Sequence, residues 1–179
     1  CARGQDAVIT IVGYPKDVEE IYLGADGILA NLDVGAYTAD MTTSSPALAE
    51  RIYAEAKKRG IHALDAPVTG GDMGARNATL NILVGGDEEA FNAMRPIFAA
   101  MGKNIVYEGS AGAGQKTKAA NQIAIAGALA GACEAFAYAR GPGCREGLHL
   151  HLGRCGGELP DEQHAAHGTR RQLRSRLYD

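Results

Sequence analysis

The chain has 179 residues, 46% of them hydrophobic, with a formal net charge of -3 and a pI near 6.0. That length suffices for one domain with a real core, and the mild acidity excludes a dedicated binder of nucleic acid or anionic membrane. The longest apolar run, around Ile123 to Ala132, is too short to span a bilayer and is soon followed by Glu134.

No signal peptide is visible at Cys1-Ala2-Arg3, and the absence of an initiating Met makes the start read as a cut end. The four cysteines, Cys1, Cys133, Cys144 and Cys155, form no tight framework and suit a reducing cytoplasm. Asp6–Gly13, DAVITIVG, predicts a buried parallel strand: an apolar run ending at a glycine. A short amphipathic helix follows from Pro15 and closes at Gly24. Ala36–Met41 is a second strand. Ser45 and Pro46 then make an N-cap and first-turn pair for a helix with Leu48, Ile52 and Ala56 on one face. Lys57 and Lys58 favour the C-terminal end of that helix, before Gly60. Ile61–Asp65 and Leu80–Val84 are strands. GDEEAFNAMRPIFAAMG is a helix with an acidic first turn, and Asn104–Glu108 closes the series. Alternation at this spacing means an α/β layer with a mostly parallel sheet. From Lys116 the alternation stops, and a long helix runs toward Arg140.

Two stretches carry chemistry. In DAPVTGG, Asp65 to Gly71, a strand ends and Pro67 stiffens the exit; Thr69-Gly70-Gly71 then sets a hydroxyl beside two unobstructed backbone N–H groups. Such a turn can wrap a small carboxylate or oxyanion, although taken alone it reads first as an ordinary Gly-Gly turn. In GAGQKTKAANQ, Gly112 to Gln122, Lys118 precedes the amides Asn121 and Gln122, which lie on its face if the segment is helical. A lone lysine there is ordinarily a solvated first turn.

The order DAPVTGG, TLNILVGGDEEAF, MGKNIVYEG, GAGQKTKAANQ closely resembles the β-hydroxyacid dehydrogenases, the family of 3-hydroxyisobutyrate, tartronate-semialdehyde and related short hydroxyacid enzymes. The upstream VITIVGYPKDVEEIYLGADGIL and DMTTSSP match it too, and the resemblance covers about residues 5 to 140. It implies a partial Rossmann-type parallel sheet layer followed by the start of a long interdomain α-helix. Residues 1–111 are then the C-terminal part of a dinucleotide-binding domain, and 112–140 the start of an all-helical substrate and dimerisation domain. By the resemblance, Thr69, Gly70 and Gly71 bind the substrate carboxylate, Lys118 is the catalytic lysine, and Asn121 and Gln122 are the amides beside it. A lysine with a lowered pKa can take the hydroxyl proton of a 3-hydroxy acid as hydride leaves for nicotinamide, or return it in reverse. Lys116 reads as a surface charge.

The cofactor implied is NAD or NADP, with Gly13, Tyr14, Pro15 and Thr43 lining its nicotinamide side. The partner is a small hydroxy acid, with no nucleic acid or membrane, and the parent enzyme is expected to be a homo-oligomer. The family's G-x-G-x-x-G turn, which seats the pyrophosphate on a helix N-terminus, is not in this chain. Gly109, Gly112 and Gly114 follow the last strand at a different spacing and do not replace it. The chain alone is therefore expected to be poorly active. Where the family has Gly before Thr79, this chain has Ala78, a departure that tightens a turn and removes no catalytic group.

Residues 141–179 hold four of the five histidines and six arginines but no lysine, with no sustained apolar periodicity. Cys144, His149, His151 and Cys155 suggest zinc, yet they lack the tight Cys-x2-Cys knuckle; no metal site is assigned. A one-base frame shift accounts better for the tail. Under the standard code, Arg171–Leu177 then permits Gly-Asn-Phe-Asp-Pro-Gly-Phe, like a segment the family carries downstream of its long helix. Two other readings stay open: a small metal-binding or interaction module built on the tail, and a fragment related to 6-phosphogluconate dehydrogenase. The latter would want phosphate-binding basic residues that are not evident.

Overall fold

The structure, a computed structural model, describes residues 2–139. The features expected of the tail, the Cys144–Cys155 cluster and the frame shift among them, lie outside those residues. The chain falls into two units, residues 1–124 and 125–179.

In the first unit β1 (Ala7–Thr10) is followed by α1 (Pro15–Leu23), a short α2 (Ile28–Asn31) and β2 (Tyr37–Asp40). Next come α3 (Pro46–Lys58), β3 (His62–Asp65), β4 (Val68–Thr69) and α4 (Gly71–Arg76). β5 (Leu80–Gly85), α5 (Glu88–Ala99) and β6 (Gly102–Gly109) complete the sheet layer, and α6 (Ala113–Ala139) leads into the second unit. Every strand and helix read from the periodicity is present, and α2, β4 and α4 are additions. They are too short to show a period of their own.

Local chemistry sets the helix boundaries. Pro15 and Pro46 occupy first-turn positions, where a missing N–H costs nothing. At α1 the Asp17 carboxylate reaches back to accept the Tyr14 N–H at 2.9 Å. Ser45 is the N-cap of α3, as the sequence suggests, but its side chain makes no capping bond. α3 ends on Lys57 and Lys58, and Glu88 and Glu89 open α5.

The sheet order is β1-β2-β3-β5-β4, with β6 also on β5. β1, β2 and β3 are parallel, and so are β5 and β6. The direction reverses between β3 and β5. β4 continues β3 past Ala66 and Pro67 in the same antiparallel register on β5, from Asp65 opposite Gly85 to Thr69 opposite Asn81, and the chain reverses after it, through Gly70, Gly71 and α4. With no long helical crossover between them, β3 and β5 pair as neighbours of a hairpin do.

Alternation buries Ile82 and Val84 with Phe91, Met94 and Phe98 on the α5 side. A second cluster sets Val18, Tyr22, Ile52 and Ala56 against Ala63. Phe98 is wholly buried, which stabilises by about 1.5–3 kcal/mol. β1 is shorter and less buried than the buried strand expected over Asp6–Gly13: β2 is its one neighbour among the described residues, Ile9 is 37% exposed, and Ile11–Gly13 leave the sheet.

Candidate active site

The face of the bent strand opposite the α5 core carries Asp65, Pro67 and Thr69 at alternate positions. The first turns of α6 lie on it. Gly114 makes the approach possible: a Cβ there would run into the Leu83 carbonyl oxygen and lie 2.9 Å from that of Asp65. Asp65 is 4% exposed and joins the two elements. One carboxylate oxygen accepts the Gly112 N–H at 2.7 Å, and the other accepts the Gln115 N–H at 2.8 Å. These are donors that a helix start leaves without intrahelical partners. Burial pushes the Asp65 carboxyl above the usual range, while those N–H groups act in the opposite direction.

Further along the same strand and helix, Lys118 comes over Thr69. Asp65 to Thr69 advances roughly 13 Å along the strand, and Gly112 to Lys118 about 9 Å along the helix, a difference the lysine side chain spans. Lys118 is 6% exposed, and its Nζ stands 3.5 Å from Thr69 Oγ1. Among the described residues it has no salt-bridge partner, and burial holds its ammonium below the usual lysine range. The expected surface charge falls on Lys116, which is exposed and ion-paired with Glu50 at 3.0 Å.

Gly70 and Gly71 adopt φ of 130° and 61°, a turn that L side chains resist, and Gly71 opens α4. Thr69, Leu83, Val106, Thr117 and Asn121 line a cleft of about 630 Å³. Arg95 and Lys103 line it as well, and no carboxylate does. The Oδ1 of Asn121 is buried without a hydrogen-bond partner, so an amide group at the cleft is left to be satisfied. Of the residues expected at the site, Thr69 and Asn121 line this cleft; Gly70, Gly71 and Lys118 adjoin them in sequence or by contact without lining it, and Gln122 is exposed outside it.

Gly13 and Tyr14 lie in the loop after β1 and Pro15 opens α1, while Thr43 sits in the loop after β2. The Val12 N–H donates to Thr42 Oγ1 at 2.9 Å, tying the two loops. Asp40, 6% exposed, accepts the Thr42 N–H at 3.1 Å. The Tyr14 ring and Thr43 side chain are exposed there. The C-terminal ends of parallel strands are where open α/β sheets take ligands. A flat aromatic, a hydroxyl and a helix start at that edge fit one end of a dinucleotide. The chain shows no G-x-G-x-x-G turn to fit the pyrophosphate.

Sequence reasoning passed over Asp65 and Gln115. Gln115 is 1% exposed; its Nε2 donates to the Thr42 carbonyl at 2.7 Å, and its Oε1 accepts the Ser44 N–H at 2.9 Å. A signal existed for Asp65, since a carboxylate ending an apolar strand needs buried donors. None existed for a glutamine in a polar helical turn.

Residues 1–109 match the family described as the NAD binding domain of 6-phosphogluconate dehydrogenase. The chain is 58% identical over 142 residues to an oxidoreductase of Bacillus subtilis strain 168, YkwC, covering 79% of this chain and 49% of that one. It is 38% identical over 148 residues to a 3-hydroxyisobutyrate dehydrogenase of Pseudomonas aeruginosa, covering 83% and 48%. Among solved structures, the 3-hydroxyisobutyrate dehydrogenase of Mycobacterium tuberculosis with L-serine superposes with a TM-score of 0.72 at 36% identity, over 77% of this chain and 46% of that one. The chain thus spans about half the length of the relatives it matches. Among the described residues, no helix is long and apolar enough to cross a membrane, and no group of His, Cys, Asp and Glu could hold a metal ion.

Proposed function

The chain belongs to the family of the NAD binding domain of 6-phosphogluconate dehydrogenase, with 3-hydroxyisobutyrate dehydrogenases among its homologues, and we propose that it carries the proton-transfer side of a 3-hydroxyacid dehydrogenase. The observation that carries this reading is the nearly buried Lys118, with its Nζ 3.5 Å from Thr69 Oγ1. In this reading the substrate is a short 3-hydroxy acid. The Thr69 hydroxyl and the N–H groups of Gly70 and Gly71 hold its carboxylate, and a cleft lined by cations and no acid favours an anion. Asn121 orients the hydroxyl by donating an amide N–H to its oxygen, which leaves the hydroxyl proton for Lys118. Lys118 in its uncharged form takes the hydroxyl proton in oxidation and returns it in reduction; the lowered pKa raises the population of that form at neutral pH. Gly13, Tyr14, Pro15 and Thr43 hold the nicotinamide end of NAD or NADP, which when bound supplies the hydride acceptor. Without a G-x-G-x-x-G turn to seat the pyrophosphate, the chain by itself turns over weakly.

The test pairs binding with turnover. The chain is titrated with 3-hydroxyisobutyrate and with L-serine while the amide resonances of Thr69, Gly70 and Gly71 are followed. Hydride transfer is then assayed with NAD and with NADP. Saturable shifts at those three amides, together with weak turnover abolished in Lys118→Ala, are the expected result. Unmoved amides, or equal turnover in Lys118→Ala, would overturn the assignment.

A further inference from the structure

We infer that Gln115 is a positioning residue that registers the Thr43 loop against Lys118; this rests on the functional reading above. The side-chain amide of Gln115 bonds the backbone on both sides of Thr43: its Nε2 donates to the Thr42 carbonyl at 2.7 Å, and its Oε1 accepts the Ser44 N–H at 2.9 Å. An extended neighbouring strand would satisfy the same two groups. Here one side chain does it, from 73 residues away in sequence for Thr42.

The backbone of Gln115 is committed in another direction. Its N–H donates to Asp65 Oδ2 at 2.8 Å, which ties the residue to the strand that continues to Thr69. Gln115 is therefore a junction of three elements: the β2–α3 loop, the β3–β4 strand and α6. Lys118 lies in the next turn of α6. The amide fills both of its bonding roles and is 1% exposed, so it cannot touch substrate or cofactor directly. Its effect is to fix how far Thr43 stands from Lys118. In oxidation the hydride acceptor and the proton acceptor must be placed together around the substrate, and small misplacements are costly.

Buried glutamine is uncommon without a reason, because each unmatched amide group costs stability. An apolar residue of the same length would fill the space but leave the Thr42 carbonyl and the Ser44 N–H without their partner. The loop would then be free to move relative to α6 while the sheet stays folded.

The experiment uses the full chain with Gln115→Met. Amide hydrogen exchange is read at Ser44 and, as a reference, at Ile82 in the core. The resonance of 13C-dimethylated Lys118 is followed as a function of pH. About tenfold faster exchange at Ser44, unchanged exchange at Ile82 and a displaced Lys118 resonance are expected. Unchanged Ser44 exchange or an unmoved Lys118 resonance in a folded variant would overturn the inference. If Gln115→Met does not fold, Gln115→Leu carries the same test: it removes the donor for the Thr42 carbonyl and the acceptor for the Ser44 N–H together, with the same two readings deciding. Both readings are made without cofactor or substrate. Absence of turnover by the chain therefore bears on the functional reading and leaves the clamp to be judged by exchange and resonance.

Discussion

Asp65 accepts the Gly112 N–H at 2.7 Å across 47 residues of sequence, so the end of a strand caps the start of the helix that bears Lys118. Its second oxygen takes the Gln115 N–H. The strand and the helix are thereby joined at one end, and Thr69 and Lys118 meet at the other.

Asp65→Asn converts one of two acceptors into a donor facing a backbone N–H. The expected cost is about 1–3 kcal/mol of stability, read from the midpoint of denaturant unfolding. A midpoint equal to the parent's would show that the carboxylate does not cap α6.

Lys118→Met separates stability from function. The lysine pKa is lowered in the folded chain by burial. Between that value and the ordinary lysine range, the unfolded chain holds a proton that the folded chain lacks, so stability rises with pH across this window. Below it the buried charge is a standing cost. Methionine should remove the slope and add on the order of 1 kcal/mol at neutral pH, while hydride transfer falls by at least about a hundredfold. Thermal unfolding over a series of pH values, with turnover measured in parallel, checks both signs.

Gly114→Ala tests the close approach of α6. Inside a helix alanine ordinarily stabilises by roughly 1 kcal/mol over glycine. Here its Cβ meets the carbonyl oxygens of Leu83 and Asp65, backbone atoms that cannot swing away. A net loss of about 1–3 kcal/mol is expected. A gain in unfolding midpoint would mean that α6 does not press on the strand.

Ala78→Gly should work in the opposite direction. Ala78 has φ of 53°, the positive value held by a non-glycine among the described residues, just past the end of α4. That is where helices favour glycine. Relief of the strain, less the extra freedom glycine brings to the unfolded chain, leaves about 0.5–1 kcal/mol of added stability. Calorimetry of the two chains side by side decides it.

The sequence by itself determined the order of the longer elements, because apolar periodicity and glycine or proline punctuation act over a few residues. It also marked Lys118 and the Thr69–Gly71 turn, since a motif in linear order carries a family resemblance. Tertiary structure alone decided that β3 runs past Pro67 into a register antiparallel to β5, that β1 is half-exposed, and that Asn121 is among the residues lining the cleft while Gln122 is not. It also decided the parts of Asp65 and Gln115. Their bonds to Gly112, Thr42 and Ser44 cross 47 to 73 residues. A hydrogen bond of that span leaves no local pattern, because its two ends become neighbours only when the sheet has brought the strand ends together and set the helix across them.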